Sequence, residues 1–318
     1  MAPPDPVISL AIEPKTKADQ EKLRTGLQKL MAEDPTFRVK TDTLTGGTII
    51  RGMDELHLEV IVDRQKREFN VEAAVGKPRV AYKEALTRAA DGEGRCVRQT
   101  GGRGQFGHAK IHMHPGEPGT GYVFENEIVG GAIPEEFIKP VQEGIREALT
   151  RGVLAGYPVD DVRIELYDGS FHDVDSSEMA FRIAGSMAFQ DAARKARPVL
   201  LEPIMAVEVV ASKECIADVS EDLLGRYGRI QSTAEQGDTR IVRARVPLSE
   251  MLGYTADLSS CTQGRATCSM HFDQYEQVRG GPDDNGDRWL AGVRLKPGPK
   301  PLTPGVALPE PDGEEPEI

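Results

Sequence analysis

No stretch of the chain matches GxxxxGK[ST]; its one Gly-Lys pair, Gly76-Lys77, runs straight into Pro78. Without that loop there is no backbone cradle for a triphosphate, which argues against GTP binding or hydrolysis by a P-loop. Cysteine is scarce. Cys96, Cys215, Cys261 and Cys268 show no CxxC spacing and no signal peptide precedes them, so free thiols in a reducing cytoplasm are expected. Apolar runs are short; even the stretch 180–189 is broken by Arg182, so no membrane-spanning segment and no membrane partner are expected. There is no surplus of positive charge either. A net charge of −12 argues against a broad basic face for non-specific DNA binding but permits local basic tips.

What is present is a globular composition, 39% hydrophobic and 28% charged over 318 residues, with room for two or three domains. Residues 7–75 alternate between strand and helix patterns. Residues 7–13 read as a strand. Thr16 can cap the next helix with Asp19 in the capping-box place, and Leu23, Leu27, Leu30 and Met31 form one helical face. Strands follow at 37–43 and 48–52 around Thr45-Gly46-Gly47. Asp54 opens a helix through Glu68, and Phe69, Val71, Ala73 and Val75 alternate as a fourth strand. The order βαββαβ predicts a ferredoxin-like sandwich.

Residues 199–275 repeat that order with unrelated residues. There is a strand at 204–210, a helical face of Ile216, Val219 and Leu223, and a hairpin of 229–234 with 240–246 across Gln236-Gly237-Asp238. A short helix capped by Ser249 and a strand at 266–272 complete it. The middle, 77–198, differs. Strands flank a glycine-rich tip, another strand covers 122–127, and a helix follows Pro134 with Ile138, Val141, Ile145 and Leu149 inward. A strand at 162–166 leads to a long helix near 176–196 that turns Met179, Ile183, Met187 and Ala188 to the core. The expected divisions are 1–76, 77–198 and 199–276, with a tail at 277–318. The joints Gly76-Lys77-Pro78 and Arg197-Pro198 read as hinge points. The tail is rich in Pro, Gly and acid, a disordered composition; Trp289, Leu290 and Val293 form an apolar patch within it.

Two segments of the middle region read as a pair. One is the hairpin tip Thr100-Gly101-Gly102-Arg103-Gly104-Gln105-Phe106-Gly107, whose glycines let the backbone approach a ligand closely. Arg95, Arg98, Arg103, His108 and Lys110 place positive charge along that hairpin. The other is Gly169-Ser170-Phe171-His172-Asp173-Val174-Asp175-Ser176-Ser177-Glu178, a strand-to-helix loop with His172 and Phe171 just before the helix cap. Together they suit RNA contact by charge, stacking and hydrogen bonding; the competing reading is a pair of ordinary turns. Three further patterns carry rival readings. His172, Asp173 and Ser176 suggest a hydrolase, but Asp175 to Glu178 is better explained as a capping box, with Asp175 accepting from the first turn. His108, His112 and His114 share one strand face, as zinc ligands or as a solvated face. Arg226, Arg229 and Arg265 sit in basic turns that either stop a helix or meet phosphates.

The combined motifs resemble translation elongation factor G. Pro6-Val7-Ile8-Ser9, Glu13-Pro14-Lys15, Gly52-Met53-Asp54-Glu55-Leu56-His57-Leu58 and Arg67-Glu68-Phe69 resemble that family's third domain. Residues 100–107, Gly130-Gly131, Leu154-Ala155-Gly156-Tyr157-Pro158 and 172–178 resemble its fourth. Leu200-Leu201-Glu202-Pro203-Ile204-Met205, Val246-Pro247-Leu248-Ser249-Glu250-Met251 and Gly253-Tyr254 resemble its fifth. The resemblance runs from about residue 6 to 276. It implies an α+β fold, two ferredoxin-like sandwiches flanking an elongated αβ domain of the ribosomal protein S5 domain 2-like type.

The resemblance further implies a cytoplasmic, monomeric ribosome-binding translocation factor. Its fourth-domain tip would contact the tRNA–mRNA duplex in the A site of the small ribosomal subunit. The contacts would run through Gly101, Gly102, Arg103, Gly104, Gln105, Phe106 and Gly107 and through Ser170, Phe171, His172 and Asp173. Arg226, Arg229, Arg265 and the region 253–260 would face ribosomal RNA. GTP and magnesium belong to the full-length family; for this chain no cofactor, no metal and no enzymatic activity are expected, with a separate GTPase chain left open as a partner. Phe106 and Phe171 stand where the family has tyrosine, Asp168 adds an acid near the tip, and Asp54 replaces a common glycine. The alternatives are a GTPase-less paralogue or fragment that competes for or regulates the ribosome, and a scaffold that binds no RNA.

Overall fold

The computed structural model describes residues 5–16, 19–41, 47–98 and 104–278, and two short strands at 289–290 and 293–294. Most of the turn Thr45-Gly46-Gly47 lies outside these residues, as do Gly101, Gly102, Arg103 and the bulk of the tail.

The first unit comprises β1 (Ile8–Pro14), α1 (Gln20–Glu33), β2 (Arg38–Thr41), β3 (Thr48–Gly52), α2 (Glu55–Phe69) and β4 (Ala73–Val75). The strand order β2-β3-β1-β4, antiparallel throughout, is that of the βαββαβ sandwich. α1 buries Leu23, Leu27 and Leu30, while Met31 is exposed. Asp54 caps α2 by accepting the His57 N–H at 2.7 Å. The cap expected for α1 differs. Asp19 holds the N-cap without a capping hydrogen bond, because its carboxylate is engaged by the Thr16 hydroxyl at 2.6 Å and Lys22 at 3.1 Å. The fourth strand is shorter than the alternation suggests. Phe69 closes α2 and Asn70 turns into the left-handed region at φ 53°, so the chain reaches the sheet only at Ala73.

β5 (Arg79–Val80) then pairs with the start of β1, and β6 (Lys83–Leu86) leads into the middle unit. That unit holds β7 (Ala90–Arg98), β8 (Gln105–Pro115), β9 (Tyr122–Asn126), α3 (Glu135–Arg151), β10 (Val162–Ser170) and α4 (Glu178–Lys195), with sheet order β7-β8-β10-β9. β9 and β10 are parallel, which requires the crossover that α3 supplies. Alternation along β8 buries Gly107, Ala109, Ile111 and Met113 beneath the helices and leaves Phe106, His108, Lys110, His112 and His114 on the other face.

α4 presents only part of the face the sequence suggests: Ala188 is buried and Ile183 packs against the core. Met179 and Met187 are 56% and 43% exposed. The buried stripe is Ala180, Ala184, Ala188 and Ala192, with Phe181 and Phe189. Glycines explain this. Gly92 and Gly94 of β7 lie directly against the α4 backbone at Ala188 and Ala184, and a Cβ on Gly107 would stand 2.6 Å from the Ala180 carbonyl carbon. Only small side chains fit where helix and strand backbones come so close.

The last unit comprises β11 (Pro198–Ser212), α5 (Ile216–Gly225), β12 (Arg229–Gln236), β13 (Thr239–Pro247), α6 (Leu248–Met251), α7 (Tyr254–Thr262) and β14 (Ala266–Gln277), in the sheet order β12-β13-β11-β14. Its element order matches the first unit, with a second short helix, α7, beyond the expected one. Ser249 is not the cap of α6; Pro247 is, and the Ser249 hydroxyl donates to Glu202 at 3.0 Å. β15 (Trp289–Leu290) and β16 (Val293–Arg294) pair with each other.

The two joints read as hinges are tied to sheets on either side. Gly76 N–H donates to Ala11 O and Ala81 N–H to Val7 O, both at 2.8 Å. Pro198 opens β11, where Pro198 to Leu201 pair with Leu86 to Lys83 of β6. Val80, Tyr82 and Leu200 join residues of the first and last units in one continuous core, whereas the middle unit has its own. No described helix is long and apolar enough to cross a membrane.

Candidate nucleic-acid interface

The two loops singled out in the sequence meet at one end of the middle unit. Asp175 joins them. Its Oδ1 accepts the Gly104 N–H at 3.0 Å and its carbonyl accepts the Phe106 N–H at 2.8 Å. A Cβ on Gly104 would stand 2.8 Å from the Asp175 carboxyl carbon, so a larger residue there would have to displace the Asp175 side chain. This corrects the capping-box reading: Ser177 is the N-cap of α4, accepting from the Ala180 N–H at 3.3 Å, and Asp175 is recruited by the opposite loop.

His172 has a structural task as well. Its Nδ1 accepts the N–H groups of Val174 (3.3 Å) and Asp175 (3.2 Å), which places the ring proton on Nε2. Ser176 Oγ accepts the His172 backbone N–H at 2.9 Å. Serine and imidazole are therefore engaged with backbone and not with each other, and the hydrolase arrangement is not formed. The imidazole remains 55% exposed. Its ring lies 6.3 Å from that of Phe106, over which the Arg95 guanidinium sits at 5.9 Å. Phe171 beside it is exposed. Guanidinium, phenyl and imidazole in sequence make a surface suited to unstacked bases and phosphates.

Charge along the hairpin is less positive than its composition suggests. Lys110 donates to Asp168 at 2.9 Å; that hydrogen bond holds the Asp168 carboxyl below its ordinary value and raises the Lys110 ammonium. His108 lies between Glu93 (2.7 Å) and Ser170 (2.8 Å). His112 lies 2.6 Å from Asp91 and stacks on Tyr167 at 3.8 Å. The acid at Asp168 thus neutralises a neighbour instead of facing a ligand. Arg95 and Arg98 make no ion pair with a described residue, so positive charge is concentrated toward the tip. Both arginines are legible in the sequence as flanking residues. The stacking role of Arg95 and the tie through Asp175 have no sequence signal, since both arise from contacts across the sheet.

The three strand histidines do not converge on a common point. His114 lies 3.7 Å from Glu165, and each of the others faces its own carboxylate. Among the described residues the one cluster with metal-ligand proximity is Glu125, Glu127 and Glu165. Arg163 already occupies it, 2.6 Å from Glu125 and 2.9 Å from Glu165.

The arginines of the last unit are engaged. Arg226 is half-buried, bonded to Asp222 (3.1 Å), Asp257 (2.8 Å) and the Glu250 carbonyl (2.7 Å), and lies over Tyr254 at 4.8 Å. Arg229 pairs with Glu276, and Arg265 with Glu214 at 2.8 Å. Each would have to exchange a carboxylate for a phosphate to bind RNA. The paired loops therefore form the better-developed surface.

Comparison with known proteins places all three units. Residues 3–77 match the model of elongation factor G domain III, 78–197 that of domain IV, and 199–285 that of the elongation factor G C-terminus. A solved structure of a protein from Thermus thermophilus is 39% identical, with a TM-score of 0.65, over 87% of this chain and 41% of its own. The chain thus spans about two fifths of that relative. Two ferredoxin-like units around a unit ending in a paired-loop tip define the domain set of a translation elongation factor. The chain belongs to the elongation factor G family, through domains III, IV and the C-terminal domain. None of the matched models is of a GTPase domain.

Proposed function

We propose that this chain binds the ribosome and that its domain IV tip contacts the tRNA–mRNA duplex in the A site of the small ribosomal subunit. The supporting observation is the pinned pair of loop segments, with Arg95 over Phe106 and the His172 ring tilted against it, beside exposed Phe171. Ribosomal RNA and the duplex are the partners, and the action is mechanical: the tip occupies space and holds a backbone, while no bond is made or broken. Gln105 begins β8 next to Phe106; Arg103, expected from the sequence to contact RNA, lies outside the described residues. The family's GTP and magnesium do not fit the residues here. The lone Gly76-Lys77 pair lies beside a sheet, with the Gly76 N–H already donated to Ala11, so this pair offers no phosphate cradle.

Co-sedimentation with ribosomes tests this reading. Wild-type chain pellets with them, and the triple variant Arg95→Ala, Arg98→Ala, His172→Ala binds roughly tenfold more weakly with a shallower salt dependence, because phosphate contacts are lost. Equal pelleting of the two proteins at every salt concentration contradicts a role for the tip.

A further inference from the structure

Glu84 is fully buried, yet it is far from the tip and paired with no cation among the described residues. Its carboxylate instead collects five consecutive backbone N–H groups. Oε2 accepts from Val153 (2.7 Å) and Leu154 (3.0 Å). Oε1 accepts from Ala155 (2.7 Å), Gly156 (3.0 Å) and Tyr157 (3.2 Å). Taking a carboxylate out of water is costly unless its lone pairs are met; here a backbone nest meets them with charge-assisted bonds. The nest has no slack. Gly152 enters it at φ +58°, and a Cβ there would stand 2.6 Å from the Glu84 carboxyl carbon.

The position of this anion is what gives it meaning. Glu84 lies on β6, which pairs with β11 of the last unit. The nest follows α3, whose apolar face lies in the core of the middle unit. Leu154, Ala155 and Tyr157 of the nest pack on the core shared by the first and last units. The same joint is closed by Glu84 N–H to Pro158 O (2.8 Å), Asp160 N–H to Glu84 O (3.2 Å), and Lys83 to Asp160 (2.7 Å). The Tyr82 and Tyr157 rings meet at 5.2 Å.

We propose that the Glu84 carboxylate is a latch that fixes the direction of the middle unit relative to the first and last units. Its removal leaves the middle unit folded on its own core and the first and last units on the core they share, and frees the joint to swing.

Spin labels on Val129→Cys in the middle unit and Thr233→Cys in the last unit, in a Cys261→Ser background, report the distance between units. Both sites are exposed. Cys96 and Cys215 are buried, and the partly exposed Cys268 is replaced by serine as well. With Glu84→Gln, which replaces an acceptor by a donor facing the N–H groups, the distance distribution widens roughly twofold while amides of β8 and β11 keep their exchange protection. Gly156→Ala, which strains φ +89° from the loop side, gives the same widening. Unchanged distributions in both variants overturn the latch. Loss of protection throughout both variants overturns it too, because Glu84 is then a residue of global stability only.

Discussion

Gly104 and Asp175 are 71 positions apart, yet the Asp175 side chain reaches from one tip segment to bond the other. Asp175→Ala removes a charge-assisted bond worth about 1.5–3 kcal/mol locally. We predict faster exchange at the Gly104 and Phe106 amides and weaker ribosome binding, with exchange of the Ile111 and Ile164 amides unchanged. Charge state matters elsewhere at this scale. Burial pushes the Asp34 carboxyl up, but hydrogen bonds from Thr36 and the adjacent His57, 2.9 Å away, more than offset it and hold it below its ordinary value. A depressed folded value means the stabilisation is present above the unfolded value of about 3.9 and lost as pH falls through the folded one. Asp34→Asn should therefore flatten the fall in melting temperature below about pH 4; an equally steep acid limb contradicts the pairing. A thiol reagent at neutral pH should modify Cys261 first, since it is the exposed cysteine and Cys268 is held protonated. Single residues are the least legible part of the sequence. His172 falls in the expected loop, but the backbone bonds to its ring, the use of Asp175 by the opposite loop and the nest around Glu84 all depend on neighbours distant along the chain.

At the scale of elements, α4 and the hairpin beneath it depend on glycine. Gly94→Ala drives a Cβ into the α4 backbone at Ala184, and overpacking of this kind costs about 3 kcal/mol. Thermal unfolding should show the middle unit melting first in this variant, with β11 and β14 amides still protected; a wild-type melt contradicts the close packing. The hairpin's alternation, with Ile111 and Met113 inward and the histidines outward, is readable because period-two burial separates apolar from polar residues. The orientation of α4 is not. A stripe of alanine carries little hydrophobic contrast, so the methionines outweigh it on sequence, while the glycines that select alanine lie on other strands. The end of α2 is hidden for a related reason: Phe69 and Val71 continue an alternating pattern, but a left-handed Asn70 interrupts it.

Across the whole molecule, element order alone carries the architecture: βαββαβ appears twice, and both sheets have the order that pattern requires. The junctions are hidden because β6 pairs with residues more than a hundred positions away, and glycine and proline at the joints read locally as freedom. The resulting picture is a middle unit held at its base by a buried carboxylate and ending in two loops tied to each other. The claim that this end meets RNA in the decoding region is tested most directly by tethering an iron chelate at Val174→Cys, an exposed position beside His172, in a Cys261→Ser background and generating hydroxyl radicals on bound ribosomes. The account predicts cleavage of small-subunit RNA around the A site from this position and none there from a chelate at Thr233→Cys. Cleavage confined to the large subunit, or the same pattern from both positions, would contradict it.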